Sequence, residues 1–195
     1  GSDDTTGSRA LAKGTESTES NRSAPESLFT YTSANNDDGT PNESTTTLKT
    51  AADNFKAAAQ NVIRIINKLA GNDNTLNVTL DNVNIDVSSR QSTNAALSVE
   101  GVGDTKIMLE GKNTLTSGNQ CAGLEHNGKD YYGNNNGKLT ITSEKDSGIL
   151  TATGGSGAAG IGGARNNGAG IIEIAGGNIT ANGGNGSDGG AGIGS

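Results

Sequence analysis

The sequence is poor in the side chains that build an ordinary hydrophobic core. Only 30% of its 195 residues are hydrophobic, aromatic residues make up 3%, and there is no tryptophan. A conventional enzyme domain of this length usually contains more large apolar side chains. The chain therefore either remains partly unfolded or adopts a fold with a narrow interior, such as a solenoid of stacked coils, in which small residues suffice.

Other absences narrow the function classes. No apolar run approaches the roughly 20 residues that span a bilayer, which argues against membrane insertion. The formal charge is −7 and no basic patch is present, which argues against a nucleic-acid partner. The single cysteine, Cys121, excludes a disulfide within the chain and is interpreted as a semi-buried thiol.

The N-terminal part of the chain contains two regions of different character. Residues 1–43 are polar and acidic, and we expect a partly disordered tail or arm in which only SLFTYT (27–32) can form a strand. Residues 44–71 carry apolar side chains at helical spacing, so we predict an amphipathic α-helix that caps or flanks the next domain. Its apolar seam comprises Leu48, Ala52, Phe55, Ala59, Val62, Ile66 and Leu69.

From Leu76 onward, apolar and polar residues alternate with the period of a β-strand. A unit of strand, turn, strand, loop, strand and loop occurs four times within residues 75–195. Its repeat distances are 29, 32 and 33 residues, measured between Val78, Ile107, Leu139 and Ile172. Periods of this size indicate a repeat architecture. We therefore predict a mainly-β fold, a right-handed parallel β-helix of about four three-strand coils, with handedness taken from the general preference of parallel crossovers.

The alternation predicts three columns of inward-facing side chains. The first column contains Val78/Leu80, Ile107/Leu109, Leu139/Ile141 and Ile172/Ile174. The second contains Val83/Ile85, Leu115, Leu150/Ala152 and Ile179/Ala181. The third contains Ala96 with Leu97, Ala122/Leu124, Ala159/Ile161 and Ala191/Ile193. Glycines interrupt the third column at 123, 160 and 192, and we expect either special backbone angles there or close approach of neighbouring backbone.

Several segments of this repeat resemble a known family. They are VTLDNVNIDVSS, AALSVEG, TKIMLEGKNTLTSG and GKLTITSEKDSGILTATGGSGAAGIGG. They are similar to the glycine-rich β-helix repeats of bacterial secreted and cell-surface proteins, which are often labelled carbohydrate-binding-domain-like. The resemblance covers about residues 75–195. It implies a β-helix fold and an extracellular or cell-surface location, and it carries no catalytic or ligand-binding residues onto this chain.

The main functional hypothesis is a non-enzymatic structural or adhesive module that binds a polysaccharide or a cell-surface glycan. One alternative is a fragment of a polysaccharide-active lyase or hydrolase. The carboxylates of this protein are scattered along the chain, whereas such enzymes need clustered ones. We therefore expect neither an enzyme nor a cofactor. Another is a filament or surface-array module that self-associates through the helix seam or through an open solenoid edge. We also expect the repeat domain to continue beyond Ser195 in the natural protein.

The first candidate site is the loop EHNGKDYYGNNNG (125–137), the most elaborate departure from the repeat. Sugar-binding sites often combine an aromatic face with polar groups that orient the ligand. The loop supplies both, and the candidate ligand-binding residues are Tyr131, Tyr132, Asp130, His126 and Asn135. The alternative is a plain surface loop whose tyrosines cover the side of the solenoid.

The second candidate is a ladder of outward-facing threonines on the second strand of each coil. Its members are Thr114, Thr116, Thr151, Thr153 and Thr180, with Asn84/Asp86 in the first coil. A regular threonine face suits a glycan, a crystalline polysaccharide or, less well, ice. The alternative is that threonine simply favours exposed strand positions.

A third motif concerns metals. GGNGSDGGA (183–191) resembles the calcium-binding nonapeptide of β-rolls, with Asp188 as the carboxylate ligand. It lacks the large apolar residue and a tandem copy, so one motif cannot supply a complete oxygen shell. Asp188 is therefore only a weak calcium candidate, and no metal site is predicted.

Overall fold

The computed structural model describes residues 28–34, 45–49, 62–70, 75–89 and 93–195. Apart from a three-residue 3-10 turn at Glu144–Asp146, the regular elements of these residues are strands. They are β1 (Leu28–Ala34), β2 (Thr45–Lys49), β3 (Val62–Lys68), β4 (Leu76–Asp81), β5 (Asn84–Asp86), β6 (Leu97–Glu100), β7 (Thr105–Glu110), β8 (Lys112–Thr116), β9 (Leu124–Glu125), β10 (Leu139–Thr142), β11 (Ile149–Thr153), β12 (Ile161–Gly162), β13 (Ile172–Ile174), β14 (Asn178–Asn182) and β15 (Ile193–Gly194).

The strands form three sheets in which all pairs are parallel. From β4 onward, each strand pairs with the strand three places later in the chain, as in β4 with β7 and β5 with β8. Four successive coils therefore stack as β4–β6, β7–β9, β10–β12 and β13–β15. This arrangement confirms the predicted β-solenoid of about four three-strand coils. The right-handed winding stays a prediction.

The interior contains the side chains that the period of two places inward. In the second sheet column, Ile85, Leu115, Ala152 and Ala181 face one another in register. In the third, Leu97, Leu124, Ile161 and Ile193 do the same. The members of these two columns in the first three coils are buried, so the second and third predicted columns are confirmed in those coils.

The first column is displaced by two residues at β10. Ile107 pairs with Ile141 rather than with Leu139, and Leu139 lies opposite Thr105. The predicted alignment was therefore wrong at this coil, although Leu139 and Ile141 are both buried. A two-residue shift keeps every side chain on its original face of the sheet, so alternation alone cannot detect it.

A strand replaces part of the helix predicted for residues 44–71. Val62–Lys68 form β3, which pairs in parallel with β6 and places Ile63 and Ile65 in the core. Branched side chains such as these pack well in a sheet, and the neighbouring strand decides between two conformations that the pattern allows. Thr45–Lys49 also form a strand. The helix prediction is wrong over these two segments, and residues 50–61 lie outside the described part of the chain.

The sheets begin before the predicted boundary at residue 75. β2 pairs with β4, and β1 pairs with β3, so all three N-terminal strands belong to the sheets of the solenoid. The strand predicted at SLFTYT (27–32) is confirmed as β1. The tail or arm expected for residues 1–43 otherwise lies outside the described residues.

One buried polar side chain stands within the second column. Asn113 is fully buried, and its Oδ1 accepts the N–H of Val83 at 2.8 Å. Its Nδ2 lies within hydrogen-bonding distance of the carbonyls of Leu80, Glu110 and Ile149, at 3.0–3.2 Å. The amide thereby satisfies backbone groups of three successive coils, and this is why a polar residue is tolerated inside.

Glycine at the third corner of a coil is required by close packing of backbone. A Cβ at Gly123 would lie 2.5 Å from the Thr153 nitrogen, and one at Gly160 would lie 2.5 Å from the Asn182 nitrogen. Both contacts involve the following coil. The close approach is confirmed at these two positions, and a side chain at either would clash with the next coil at the spacing that the strand hydrogen bonds set.

Candidate functional site

A β-hairpin-like excursion over residues 127–137 follows β9, the third strand of the second coil. Its two arms meet at an antiparallel bridge between Lys129 and Asn135. At its tip, the Asp130 carboxylate accepts the backbone N–H of Tyr132 at 2.9 Å and that of Asn134 at 2.8 Å. It also accepts the side-chain amide of Asn134 at 3.0 Å. The bond from that side chain, aided by those from the backbone, lowers the pKa of Asp130. The tip is therefore an ordered turn.

The two tyrosines at this tip are almost fully exposed. Tyr131 is 93% accessible and Tyr132 is 84% accessible. Their rings meet edge to face, with centroids 5.4 Å apart and an angle of 85° between planes. At these exposures the rings cover little of the solenoid. Both rings are therefore exposed to solvent on a turn that the Asp130 carboxylate stabilises.

A groove of about 300 Å³, here called the tyrosine groove, lies between the hairpin tip and strands β3 and β6. Apolar surface comes from Ile66 and from Val102, which is 55% exposed. Charged groups of both signs also line it, and Arg64 forms an ion pair with Glu100. The groove is lined by Arg64, Ile66, Lys68, Glu100, Gly101, Val102, Asp130, Tyr131 and Tyr132. It combines apolar, aromatic and charged surface.

A smaller cavity of about 200 Å³ brings Glu125 close to the Arg64–Glu100 pair. Burial raises the pKa of Glu125, and the nearby charge of Glu100 adds to this. Hydrogen bonds from the Ala122 N–H, the Asn127 amide and the Cys121 thiol act in the opposite direction. The Glu125 oxygens lie 3.3 Å from the Ala122 nitrogen and 3.1 Å from the Asn127 Nδ2. Both oxygens of this carboxyl are therefore engaged within the chain.

Sequence reasoning missed this grouping of Arg64, Glu100 and Glu125. The three residues lie on three different coils, and Arg64 stood in the segment predicted to be helical. The strand register would have revealed it. Arg64 pairs with Ser98, which pairs with Glu125, so these residues lie on the same face of neighbouring strands β3, β6 and β9. That register can be used only once β3 is recognised as a strand.

Two of the five candidate residues in the loop do not join the tyrosines. His126 is 2% exposed, and its Nδ1 lies 2.9 Å from the Val99 carbonyl oxygen, to which it donates. Alternation explains this position, because Leu124 and His126 face inward while Glu125 faces outward. Asn135 lines a different cavity, between the hairpin and residues 166–171. The tyrosine groove therefore contains Tyr131, Tyr132 and Asp130 of the original set.

The threonine ladder has the register that the sequence predicts. One rank aligns Asn84, Thr114, Thr151 and Thr180, and the second aligns Asp86, Thr116, Thr153 and Asn182. Within the second rank, the Asn182 amide lies 3.3 Å from the Thr153 hydroxyl oxygen. The ladder is thus a regular, partly exposed face on a sheet that does not carry the tyrosine groove.

Asp188 forms an ion pair instead of standing free as a ligand. Its Oδ2 lies 2.6 Å from Arg165 Nη2. Across the described ranges, no three His, Cys, Asp or Glu side chains come together in a way that could hold a metal ion. The thiol-bearing residue Cys121, which the sequence predicts to be semi-buried, is buried.

Comparisons with known proteins do not test the resemblance to glycine-rich β-helix repeats. No protein-family model, no curated protein and no solved structure matches the chain. Within the part of the chain that the structure describes, no helix has the length and apolar character needed to cross a bilayer.

Proposed function

We propose that this protein is a non-enzymatic module of the extracellular space or cell surface that binds polysaccharide through the tyrosine groove. The observation that carries the proposal is the pair of tyrosines, 93% and 84% exposed, on a turn fixed by Asp130 beside a groove of about 300 Å³. The resemblance of the repeats to secreted and cell-surface β-helices supports the location.

Exposed aromatic rings offer apolar surface that a ligand can remove from water. Aromatic side chains supply large apolar faces with few rotatable bonds, so little entropy is lost when they bind. The C–H faces of a pyranose ring pack on such surfaces, while its hydroxyls need polar partners. In the tyrosine groove, Lys68 and the Arg64–Glu100 ion pair line the surface and supply polar groups of this kind.

The scaffold favours binding over catalysis. The carboxylate of Glu100 is paired with Arg64, and both oxygens of Glu125 accept hydrogen bonds within the chain. A glycosidase needs one carboxyl group that donates a proton and a second that acts on the sugar or on water. These two carboxyls are instead engaged by protein partners, which supports a non-enzymatic module over a lyase or hydrolase fragment.

Retention on insoluble polysaccharides tests the proposal. A panel of celluloses, pectins and chitins is incubated with the parent protein and with Tyr131→Ala/Tyr132→Ala. We expect the double variant to lose at least about 30-fold in affinity for whichever polysaccharide the parent binds, because truncating an aromatic anchor costs about 1 kcal/mol or more. Its melting temperature should match that of the parent, since both rings are exposed.

Tyr131→Phe/Tyr132→Phe is the matched control, because it keeps the ring faces and removes only the hydroxyls. It should retain most of the binding. Retention of the alanine variant at the parental level would show that this groove is not the site. Loss of binding in Thr151→Glu, with the alanine variant unaffected, would transfer the function to the threonine ladder.

A further inference from the structure

A second cavity of about 570 Å³ lies between the hairpin and the loop that follows β12. One wall is the hairpin arm with Lys129 and Asn135, and the other is formed by residues 166–171. This cavity, here called the amide groove, shares none of its lining residues with the tyrosine groove.

Hydrogen bonds hold the two walls of the amide groove at a fixed separation. The Gly128 N–H donates to the Gly168 carbonyl at 2.8 Å, and the Gly170 N–H donates to the His126 carbonyl at 2.8 Å. The Asn127 Oδ1 accepts the Ala164 N–H at 2.9 Å. The groove is therefore preformed, which lowers the entropic cost of binding a ligand.

Among the described residues, three asparagine side-chain amides in the groove have no hydrogen-bond partner. The side chains of Asn135, Asn166 and Asn167 are exposed, and no other described residue hydrogen-bonds to them. The nearby Asn136 differs, because its Nδ2 donates to the Asn127 carbonyl at 2.9 Å and its Oδ1 accepts the Gly101 N–H at 2.8 Å. Three amides thus remain available to a ligand, and each offers donors and an acceptor.

An apolar surface stands beside these amides. Ile171 is 67% exposed, and it precedes Ile172, whose side chain packs against the core. The carbonyl of Ile171 accepts the Leu139 N–H at 2.9 Å, so its backbone is fixed while its side chain faces the groove. Lys129 is the one charged residue in the described lining, and its Nζ lies 3.4 Å from the Gly133 carbonyl oxygen. Apart from this one cation, the polar groups of the lining are neutral amides, which suit a ligand that carries uncharged donors and acceptors.

We propose that the amide groove binds an N-acetylated sugar unit. An acetamido group carries an N–H donor, a carbonyl acceptor and a methyl group. The free asparagine amides complement the first two, and Ile171 offers a surface for the methyl. The inference rests on the proposed function only in taking the ligand to be a glycan, because the residues involved are different.

The test uses two trisaccharides with the same β-1,4 linkage, one of N-acetylglucosamine and one of glucose. Calorimetric titration measures their affinities for the parent and for Asn166→Gly/Asn167→Ala. Glycine is chosen at 166 because Asn166 has φ 65°, which alanine would strain. We expect the acetylated trisaccharide to bind at least about tenfold more tightly than the other, and the double variant to lose about tenfold in affinity for it.

Asn119→Ala is the matched control, since Asn119 is an exposed asparagine outside the groove. It should bind like the parent. Ile171→Ala should reduce the preference for the acetylated sugar about tenfold, because the methyl contact supplies selectivity. Equal affinities for the two trisaccharides, or an unchanged affinity in the Asn166/Asn167 variant, would overturn the proposal.

The failure of this proposal and that of the proposed function can be distinguished. If trisaccharide binding requires the tyrosines and not the amides, the amide groove is excluded and the tyrosine groove stands. If it requires the amides while Tyr131→Ala/Tyr132→Ala binds every polysaccharide normally, the reverse holds.

Discussion

Single glycines at the coil corners determine how closely neighbouring coils can stack. At Gly160, a Cβ would lie 2.5 Å from one backbone nitrogen and 2.8 Å from the Gly192 carbonyl oxygen of the next coil. Backbone atoms cannot move aside as the end of a side chain can. A Cβ at Gly189 would have no heavy atom within 4 Å, so glycine there has no comparable packing role.

We predict that Gly160→Ala lowers the free energy of unfolding by about 2 kcal/mol or more, because overpacking against rigid backbone is costly. Gly189→Ala should change it by less than about 0.5 kcal/mol. Urea denaturation followed by circular dichroism measures both. Equal, small effects for the two substitutions would show that the coils can separate without penalty.

The half-buried carboxyl of Glu125 makes stability depend on pH. Its pKa is raised above 4.5 by burial, so the folded protein holds this proton more tightly than the unfolded chain does. Over the interval that begins near pH 4.5, the unfolded chain binds fewer protons, and stability therefore falls as pH rises.

We predict that Glu125→Gln removes this part of the pH dependence. The variant should gain stability relative to the parent as pH rises from about 4 to about 8, and urea midpoints across that range measure the difference. Glu144→Gln, in the exposed 3-10 turn, is the control and should follow the parent. A constant difference between Glu125→Gln and the parent at every pH would contradict the argument.

At the scale of elements, β3 is a strand whose sequence also fits a helix. In the helical alternative, Val62, Ile66 and Leu69 form the apolar seam. In the strand, Ile63 and Ile65 face the core, and Ile66 faces the tyrosine groove. The strand buries Ile65 and leaves Ile66 half-buried, whereas the helix places Ile66 in its apolar seam and Ile65 beside it.

We predict that Ile65→Asn costs about 3 kcal/mol or more in unfolding free energy, because it removes buried apolar surface and buries an amide. Ile66→Asn should cost less than about 1 kcal/mol. A larger loss for Ile66→Asn than for Ile65→Asn would support the helix instead. Thermal melts of the two variants give the comparison directly.

At the scale of the whole molecule, burial decreases toward the last coil. Ile161 is fully buried, but Ile193, its partner in register, is 50% exposed. Ile141 is fully buried, but Ile174 is 40% exposed. Strands β13, β14 and β15 are the outermost strands of their sheets among the described residues, so each has one unpaired edge.

We predict that backbone amides of β14 exchange with solvent at least about tenfold faster than those of β11, which has a strand on either side. Hydrogen exchange followed by mass spectrometry, at a protein concentration low enough to prevent association, measures this. Equal protection of β14 and β11 would show that the end of the solenoid is covered in solution.

The sequence by itself determined the inward and outward faces of the coils and the corner glycines. These properties follow from the strand period of two and from the similar length of the repeats. Both are present in the amino-acid sequence itself. The threonine ranks are an example, because Thr114, Thr151 and Thr180 align in the structure as the repeat predicts.

Only the tertiary structure decided which residues from different coils meet. The two-residue shift at β10 is invisible to alternation, and β3 became a strand because β6 and β1 lie beside it. The same holds for both grooves, where loops of unequal length bring together residues such as Tyr131 and Arg64, or Asn135 and Asn166. Contacts of this kind depend on hydrogen-bond register between coils and on the paths of the loops, and alternation alone does not fix either.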